Sequence, residues 1–500
     1  MDLLKLLEKH WGYTQFRPKQ ESVVRSILEG RDVAAIMPTG GGKSLCYQLP
    51  AAAMDRVSVV VSPLIALMQD QAAHLETAGI PAAVLNSSIA YEEQRAIMRR
   101  AERGELRLLY VSPERLVRDD VLAWLMKIPL GFFAIDEAHC ISEWGHEFRP
   151  EYRKLRALRE WFPKIPIAAF TASATRAVRH DIVAQLKLRD PAKITMSFHR
   201  PNLRYIVHEC AAREQDRRLE AALRHYTEGN LIVYAPTISA VEETAALLRS
   251  KGFPAVAYHG QMDTAKRSRN QEIWMTGEKR VLVGTLAFGL GINKPDVRAV
   301  IHLALPKSVE QYYQEAGRAG RDGLPADCIL LWQKRDAGLL VHFIQQLQDE
   351  DEKQRAWKRY HAMRKFVEGE ECRHRQICLH FGETPSWASC GACDVCGATP
   401  DWLRKPAKAA AGSKLAAAEV RKKAAPKCAS ENDLRGRLKK WRTEKAKELS
   451  VPAFVILHDA TIEAIAERAP ATVEELMEVK GIGKAKAEKF GEAILRVVSG

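Results

Sequence analysis

Short apolar segments alternate with helix-like stretches over the first 338 residues, and this alternation constrains the fold more than any other feature of the chain. Such alternation is typical of parallel β-sheets whose strands are joined by helices. The segments form two runs, residues 1–200 and 201–338, which predicts two α/β domains. The predicted strands are Val33–Met37, Val57–Val61, Leu106–Val111, Phe132–Asp136 and Ile167–Thr171 in the first run, and Asn230–Tyr234, Ala255–Tyr258, Arg280–Gly284, Ala299–His302 and Asp327–Trp332 in the second.

A basic, alanine-rich segment interrupts the C-terminal part of the chain. Residues 403–430 contain eight basic residues, one acidic residue and ten alanines, so they supply +7 of the formal net charge of +14. They hold too few large apolar side chains to bury a core, which predicts a linker over 399–430. The linker separates a cysteine-containing helical module, residues 339–398, from a helical domain, residues 431–500. The basic excess favours a polyanionic partner such as nucleic acid.

The cysteines and the lack of targeting segments indicate a cytoplasmic protein without membrane contact. The N-terminal sequence has no signal-peptide pattern, and no run approaches 18 apolar residues. Five of the ten cysteines crowd into residues 372–396, which in a cytosolic protein indicates metal binding. Four thiolates are enough for a closed tetrahedral Zn²⁺ site, and the spacing offers Cys372, Cys390, Cys393 and Cys396. Cys378, His374 and His380 are competing ligands.

The first predicted strand runs into a glycine-rich loop suited to bind phosphate. The loop and the start of the next helix comprise Thr39, Gly40, Gly41, Gly42, Lys43 and Ser44. Glycines allow backbone N–H groups to approach a phosphate closely. Lys43 would reach the β- and γ-phosphates of a nucleotide, and Ser44 would offer its hydroxyl to Mg²⁺. The motif is shorter than the full consensus, so alone it would also fit an ordinary loop.

An acidic pair follows the predicted strand Phe132–Asp136. Asp136 would hold Mg²⁺, and Glu137 would orient and deprotonate an attacking water. An acidic turn after a buried strand is the alternative. Because the glycine-rich loop and the acidic pair occur together and in this order, they predict a nucleotide-hydrolysing site.

These and further motifs resemble those of superfamily 2 helicases, and more narrowly those of the RecQ family. The segment Asp136–Pro150 is similar to motif II with its aromatic-rich loop, Gly12–Gln20 to motif 0, and Gln311–Asp322 to motif VI. The other matching segments are Ser62–Ile65, Ser112–Arg115, Phe170–Thr175 and Val283–Asn293. The resemblance implies an α/β protein with two RecA-like parallel-sheet domains, a helical zinc-binding module and a small all-α HRDC domain.

The resemblance assigns roles in the nucleotide site to five more residues. Gln20 would read the adenine edge, while Tyr13 and Arg17 would stack on the two faces of the ring. For Tyr13, packing against a helix is the alternative. Arg321 would act as the arginine finger on the γ-phosphate, with Arg318 as a second contact.

The aromatic-rich loop would bind DNA and signal its presence to the hydrolytic site, and its candidate residues are Trp144, His146, Phe148 and Arg149. The alternative for Trp144 and Phe148 is that they fill a small core beneath the loop. The four-cysteine set corresponds to the RecQ zinc site, which leaves Cys378 as a buried thiol. In the HRDC-like segment, the turn before Lys484 and Lys486 would present backbone N–H groups to a phosphate, with simple helix packing as the alternative.

The chain departs from the longer RecQ pattern in three places. Residues 397–430 are too short and too rich in alanine and lysine to form the winged-helix domain that follows the zinc module in many members, so we expect a short form. Ile238 replaces a polar-plus-arginine pattern in motif IV, and His259–Met262 differs from the usual His-Ala-Gly-Leu. These changes do not affect the residues assigned to ATP chemistry. They argue against the usual phosphate or DNA contact at these positions of the second domain.

The resemblance implies an ATP-dependent helicase that translocates 3′→5′ on single-stranded DNA and unwinds duplexes in repair and recombination. ATP, Mg²⁺ and Zn²⁺ would be its cofactors. We expect a nucleoid-associated bacterial monomer that meets single-stranded and forked DNA and single-strand-binding or other repair proteins. An RNA helicase, a DNA-stimulated translocase and an annealing scaffold with little autonomous unwinding are the alternatives.

Overall fold

The computed structural model describes residues 2–87, 89–211, 214–285, 294–403, 434–449 and 453–499. Most of the predicted linker and most of the segment resembling motif V lie outside these residues.

Seven parallel strands form the first sheet, in the order β3-β4-β2-β5-β6-β1-β7. They are β1 (Val33–Ile36), β2 (Val57–Val61), β3 (Ala82–Leu85), β4 (Leu108–Val111), β5 (Leu130–Ile135), β6 (Ile167–Thr171) and β7 (Ala192–Thr195). Alternate residues of β1 enter two different apolar clusters: Val33 and Ala35 pack on one face, and Ala34 and Ile36 on the other. The sheet is therefore buried on both faces, as parallel sheets are.

Six parallel strands form the second sheet, in the order β10-β11-β9-β12-β13-β8. They are β8 (Leu203–Glu209), β9 (Asn230–Tyr234), β10 (Ala255–Tyr258), β11 (Val281–Gly284), β12 (Val297–His302) and β13 (Ala326–Trp332). All ten predicted strands form, with ends that shift by one or two residues, as strand limits commonly do. The structure adds β3, β7 and β8, which the sequence did not predict.

Helices connect the strands and build the C-terminal part. They are α1 (Leu3–Trp11), α2 (Gln20–Leu28), α3 (Lys43–Ala53), α4 (Ile65–Thr77), α5 (Tyr91–Glu102), α6 (Pro113–Leu116), α7 (Asp119–Leu125), α8 (Pro150–Arg153), α9 (Ala157–Trp161), α10 (Arg176–Gln185), α11 (Glu214–His225), α12 (Ile238–Ser250), α13 (Thr264–Met275), α14 (Val309–Ala316), α15 (Lys334–Gln345), α16 (Glu350–Glu368), α17 (Arg373–His380), α18 (Leu434–Glu448), α19 (Ala453–Ile456), α20 (Asp459–Arg468), α21 (Val473–Met477) and α22 (Lys484–Ser499). Helices α18–α22 enclose an apolar core of their own. Within the described ranges, none of the helices combines the length and the apolar character that a membrane span requires.

Candidate active site

The glycine-rich loop leads from β1 into α3, which begins at Lys43. Gly40 and Gly42 have φ angles of +81° and +79°, a left-handed conformation that glycine adopts without strain. The backbone N–H groups at the start of α3 are available to an anion, and the helix dipole favours negative charge there. Lys43 Nζ lies 3.3 Å from Glu137 Oε1, so the loop faces the acidic pair at the end of β5.

The acidic pair holds two carboxylates in different electrostatic environments. Burial raises the pKa of Asp136 to about 6, whereas Lys43 and His139 outweigh burial and hold the pKa of Glu137 below its usual range. Glu137 has a φ of +47°, which is rare for a residue with a side chain and is found at functional sites. Glu137 is therefore an ionised carboxylate in this structure.

A Mg²⁺ ion fits the donors at Ser44 and Asp136. Asp136 is buried and one of its oxygens accepts a hydrogen bond from the Glu137 backbone at 2.9 Å. Ser44 Oγ accepts one from Gln71 Nε2 at 3.2 Å, which leaves the hydroxyl a proton and a lone pair. A hydroxyl and a buried carboxylate are oxygen donors of the kind that Mg²⁺ uses.

The loop after α14 brings two arginines against the glycine-rich loop. A Cβ placed on Gly40 would lie 3.6 Å from Arg321 Cγ, and one on Gly317 would lie 3.1 Å from Thr39 Cβ, so the two sheets close on each other here. Arg318 is buried, and among the described residues its Nε has no hydrogen-bond partner. The pKa of Arg321 is lowered to about 9, first by burial and then by neighbouring arginines. Crowded, buried positive charge of this kind suits a polyphosphate.

Two of the three residues predicted to bind adenine, Gln20 and Arg17, contact the glycine-rich loop. Gln20 is buried, and its Nε2 donates to Gly42 O at 3.2 Å while its Oε1 accepts from Arg17 N at 2.8 Å. The Arg17 guanidinium donates to the carbonyl oxygen of Gly40. Tyr13 is 41% exposed and so keeps a ring face accessible. The Gln20 amide must therefore exchange its loop partners for an adenine edge in order to read the base.

The aromatic-rich loop exposes two rings and turns a third inward. Trp144 is 54% exposed and Phe148 is 37% exposed, which contradicts the alternative that they fill a core. His146 instead stacks on His139, with ring centroids 4.7 Å apart. Arg149 donates to Glu147 at 2.7 Å. Gly145 permits this tight loop, because a Cβ there would lie only 2.7 Å from the His139 carbonyl oxygen.

Four thiols converge beside the second sheet, at Cys372, Cys390, Cys393 and Cys396. Their sulfur atoms all lie within 4.8 Å of one another, and Cys390 and Cys396 are 3.9 Å apart. A tetrahedral Zn²⁺ site with bonds of about 2.3 Å has sulfurs about 3.8 Å apart, so the cluster fits zinc. The competing ligands are not in the cluster: Cys378 is a buried thiol, His380 binds Glu310, and His374 contacts Cys390 Sγ at 3.1 Å from outside the four-cysteine cluster.

The HRDC-like domain packs against the first sheet's domain through the turn that was predicted to contact phosphate. A Cβ on Gly483 would lie 3.2 Å from Lys9 O and 3.1 Å from Gly12 N, both at the end of α1. Lys294 Nζ also lies 3.6 Å from Asp459 Oδ2 in α20. A phosphate could reach this turn only if the domain moved away from α1.

Contacts between the two sheets' domains and with the cysteine-containing module include pairings that sequence reasoning missed. Gln314 Nε2 donates to Ser173 Oγ at 2.7 Å, and His380 Nε2 lies 2.7 Å from Glu310 Oε1. Arg200 contacts the backbone on both sides of the cleft. Their partners lie more than 65 residues away in the chain, and no local pattern marks such pairs.

Four family models match successive parts of the chain. They are the DEAD/DEAH box helicase model over residues 17–181, the helicase conserved C-terminal domain over 214–323, RecQ zinc-binding over 334–397 and the HRDC domain over 431–498.

Solved structures share the helicase fold at low identity. Saccharomyces cerevisiae Dbp5 bound to RNA and ADP BeF3 matches with a TM-score of 0.55 and 17% identity over 69% of this chain and 90% of that one. The DUF1998 helicase MrfA bound to DNA and AMPPNP matches with a TM-score of 0.55 and 19% identity, over 66% and 50%. At this identity the likeness concerns the fold alone.

Curated relatives are more similar to this chain in sequence than these solved structures are. The ATP-dependent DNA helicase RecQ of Haemophilus influenzae is 42% identical over 79% of this chain, which spans only 63% of that protein's length. The protein of the same name from Bacillus subtilis is 33% identical over 99% of this chain and 98% of its own length. Four family models match this chain in succession, and the Bacillus subtilis relative matches it almost from end to end. The chain therefore belongs to the RecQ helicase family.

Proposed function

We propose that this chain is an ATP-dependent DNA helicase that translocates 3′→5′ on single-stranded DNA and separates duplexes during repair and recombination. The observation that carries the proposal is the Lys43–Glu137 ion pair at 3.3 Å, set in a cleft that Arg321 lines from the opposite domain. A phosphate-binding lysine, a water-activating carboxylate and a cationic side chain across the cleft are the parts that phosphoryl transfer to water requires.

Each residue in the cleft performs a distinct task in hydrolysis. The N–H groups of Gly42 to Ser44 and the Lys43 ammonium bind the phosphates, and ATP entry draws Lys43 away from Glu137. Glu137 then accepts the proton of the attacking water. Ser44 and Asp136 would hold Mg²⁺, which when bound neutralises charge on the β- and γ-phosphates. Arg321, with Arg318 beside it, stabilises charge on the transferring phosphoryl group.

Adenine recognition completes the nucleotide site in this proposal. Tyr13 and Arg17 stack on the base and Gln20 reads its edge, once Arg17 and Gln20 leave their contacts with the glycine-rich loop. Because Gln20 and Arg17 hold Gly42 and Gly40 before ATP arrives, base binding and phosphate binding are coupled through the loop. An amide that donates and accepts on one edge favours adenine over bases with the reverse pattern.

DNA is the nucleic acid that we assign to the aromatic-rich loop. The exposed rings of Trp144 and Phe148 offer stacking surfaces, and the cationic side chains of Arg153 and Lys358 lie within 6.0 Å of those rings. Bases that stack there would lie next to phosphates bound by the same cations. His146 and Arg149 act inside the loop. His146 stacks on His139 of motif II, and Arg149 forms an ion pair with Glu147.

The domain limits and the cellular setting form part of the same proposal. We place the domain limits at residues 1–200, 201–338, 339–398 and 431–500, with a basic linker over 399–430. The protein would act as a monomer at the nucleoid, on single-stranded and forked DNA and beside single-strand-binding or other repair proteins. Zinc holds the 339–398 module, and without a recognisable winged helix strand separation depends on this module or on the aromatic-rich loop.

An unwinding assay with tailed duplexes of both polarities tests the proposal. With ATP, we expect unwinding of the 3′-tailed DNA, little of the 5′-tailed DNA and none with Lys43→Ala. Strong ATPase stimulation by single-stranded DNA without unwinding would make the protein a translocase. Greater stimulation by RNA than by DNA would make it an RNA helicase, and annealing activity that survives Lys43→Ala would make it a scaffold.

A further inference from the structure

The segment that joins the two sheets is held along its length by the zinc-binding module. This interdomain connection, residues 196–202, runs from the end of β7 to the start of β8. Glu383 accepts hydrogen bonds from Phe198 N at 2.7 Å and from Ser197 Oγ at 2.6 Å. The ring of Phe381 stacks on Phe198 with centroids 4.4 Å apart. These contacts fix the position of the interdomain connection, so it does not act as a free hinge.

Arg200, in the middle of the interdomain connection, bridges the two sides of the nucleotide cleft. Its Nη1 donates to Thr39 O in the glycine-rich loop at 2.6 Å. Its Nη2 donates to Gly320 O at 3.0 Å and Ala319 O at 3.3 Å. These last two residues lie between Arg318 and Arg321, so one guanidinium ties the phosphate loop to the loop that carries both cleft arginines.

The chemistry of this bridge requires arginine. The planar guanidinium presents several N–H donors in fixed directions, and it therefore reaches two separate groups of carbonyl oxygens at once. Asn202 supports the same loop, because its Nδ2 donates to Gly320 O at 2.9 Å and its Oδ1 accepts from Arg200 Nε at 3.3 Å. A lysine would keep the charge but could not hold both sides of the cleft in one geometry.

The zinc-binding module also contacts the backbone of Arg200 itself. His374, which is 1% exposed, has Nε2 3.1 Å from Arg200 O and Nδ1 3.1 Å from Cys390 Sγ. One imidazole ring therefore separates a zinc-ligand sulfur from the carbonyl group of the bridging arginine.

We propose that Arg200 is a positioning residue for ATP hydrolysis, which sets the distance from Arg321 to the glycine-rich loop and is itself held in place by the zinc-binding module through His374. The proposal rests on the nucleotide site described under the proposed function. The Arg200 guanidinium donates to backbone carbonyl groups and to the Asn202 side chain in this structure, so its effect on hydrolysis passes through Arg321 and not through a contact with the reacting atoms.

Steady-state ATPase kinetics of Arg200→Ala and Arg200→Lys test this role. We expect kcat to fall about 10- to 100-fold in Arg200→Ala, as misplacement of a catalytic group does, with incomplete recovery in Arg200→Lys. Arg204→Ala is the matched control, because Arg204 makes a paired salt bridge with Asp327 on the neighbouring strands, away from the cleft. Zinc content and melting temperature should be unchanged in the Arg200 variants.

A double-mutant cycle separates positioning from a general structural effect. In an Arg321→Ala background, Arg200→Ala should change kcat less than threefold, because residues that act through one another are not additive. Independent, multiplicative losses would overturn the proposal, as would a normal kcat in Arg200→Ala. If the wild type and Arg204→Ala hydrolyse no ATP, the proposed function fails instead, so the two failures are distinguishable.

His374→Ala tests the connection to zinc. We expect a variant that retains full zinc, measured by elemental analysis, to lose kcat in the same direction as Arg200→Ala, and not to lose more when the two substitutions are combined. A zinc-loaded His374→Ala protein with wild-type kcat would overturn the role of the zinc-binding module. If zinc is lost, His374→Gln, which keeps a polar side chain next to Cys390, replaces it and carries the same expected and contrary outcomes.

Discussion

His146 lies face to face with His139, with ring planes only 10° from parallel. His146 comes from the loop that exposes Trp144 and Phe148, whereas His139 Nδ1 lies 3.3 Å from Glu137 Oε2. His146 and His139 therefore connect the loop by side-chain packing to Glu137, the carboxylate that we propose activates water. We propose that this packing couples the loop to the hydrolytic site.

Replacing both exposed rings should uncouple DNA binding from hydrolysis. In Trp144→Ala/Phe148→Ala, we expect stimulation of the ATPase by single-stranded DNA to fall at least about tenfold, since base stacking on an aromatic side chain contributes about 1–3 kcal/mol per base. Basal ATPase should persist, because neither ring contacts Lys43 or Glu137. ATPase assays with and without DNA measure both quantities.

Tyr91→Ala is the control for this experiment. Tyr91 is 71% exposed at the start of α5 and belongs to the same domain, yet it lies outside the motifs. It should retain full stimulation. Full stimulation of the double variant would show that the loop does not couple DNA to hydrolysis.

The sheets could be predicted largely because buried parallel strands are continuous apolar runs. The three strands that escaped prediction, β3, β7 and β8, all lie at sheet edges. In β7, Lys193 and Thr195 are exposed, because an edge strand of this length needs few apolar side chains. An edge strand with exposed polar residues, such as β7, is therefore easily missed by a search for apolar runs, although the edge strand β10 was predicted.

The residues of the candidate active site also fall into two groups, those in short sequence motifs and those that meet only when distant parts of the chain pack together. Lys43, Glu137 and the cysteines belong to short motifs whose spacing reflects their chemistry, so the sequence indicates them directly. Arg200 is 161 residues from Thr39, and His374 is 174 residues from Arg200. These contacts depend on how the domains and the zinc-binding module pack, which no local spacing encodes.

Serine substitution at a zinc ligand should separate the four-cysteine cluster from the neighbouring thiol. Cys393→Ser should lose most of the bound zinc and several degrees of melting temperature, because binding to a structural zinc site stabilises the folded state. Cys378→Ser is the matched control, since Cys378 is equally buried in the same module but lies outside the cluster. Elemental analysis and thermal melts measure the two effects, and equal zinc loss in both variants would contradict the ligand assignment.

Removing the charge of Glu137 should block hydrolysis and leave ATP binding intact. We expect Glu137→Gln to lower kcat about 10²- to 10⁴-fold, the usual contribution of a general base. Affinity for ATP should be maintained or increased, because Lys43 loses its ion-pair partner and is released toward the phosphates. Titration with a fluorescent ATP analogue and single-turnover hydrolysis measure the two separately, and a kcat within threefold of wild type would exclude Glu137 as the base.

The HRDC-like domain should lose stability in mild acid because of His458, which precedes α20. The pKa of His458 is lowered to about 3, first by burial and then by Lys486, Lys294 and Arg442. The folded state therefore binds fewer protons than the unfolded state between pH 3 and the ordinary histidine value of 6.5, so stability is present above 6.5 and is lost as the pH falls below it. The loss is at most about 1.4 kcal/mol per pH unit.

Thermal melts of the full chain at pH 7.5 and 5.5 test this expectation. We expect the transition of the C-terminal domain to fall in temperature at pH 5.5, and His458→Asn to remove most of that difference because the new side chain does not titrate. His225→Asn is the control, since His225 is an exposed histidine at the end of α11, and it should keep the wild-type pH dependence. Because Lys294 belongs to the second sheet's domain and contacts Asp459 next to His458, protonation should also weaken the docking of the C-terminal domain. An unchanged pH dependence in His458→Asn would assign the acid sensitivity to another group.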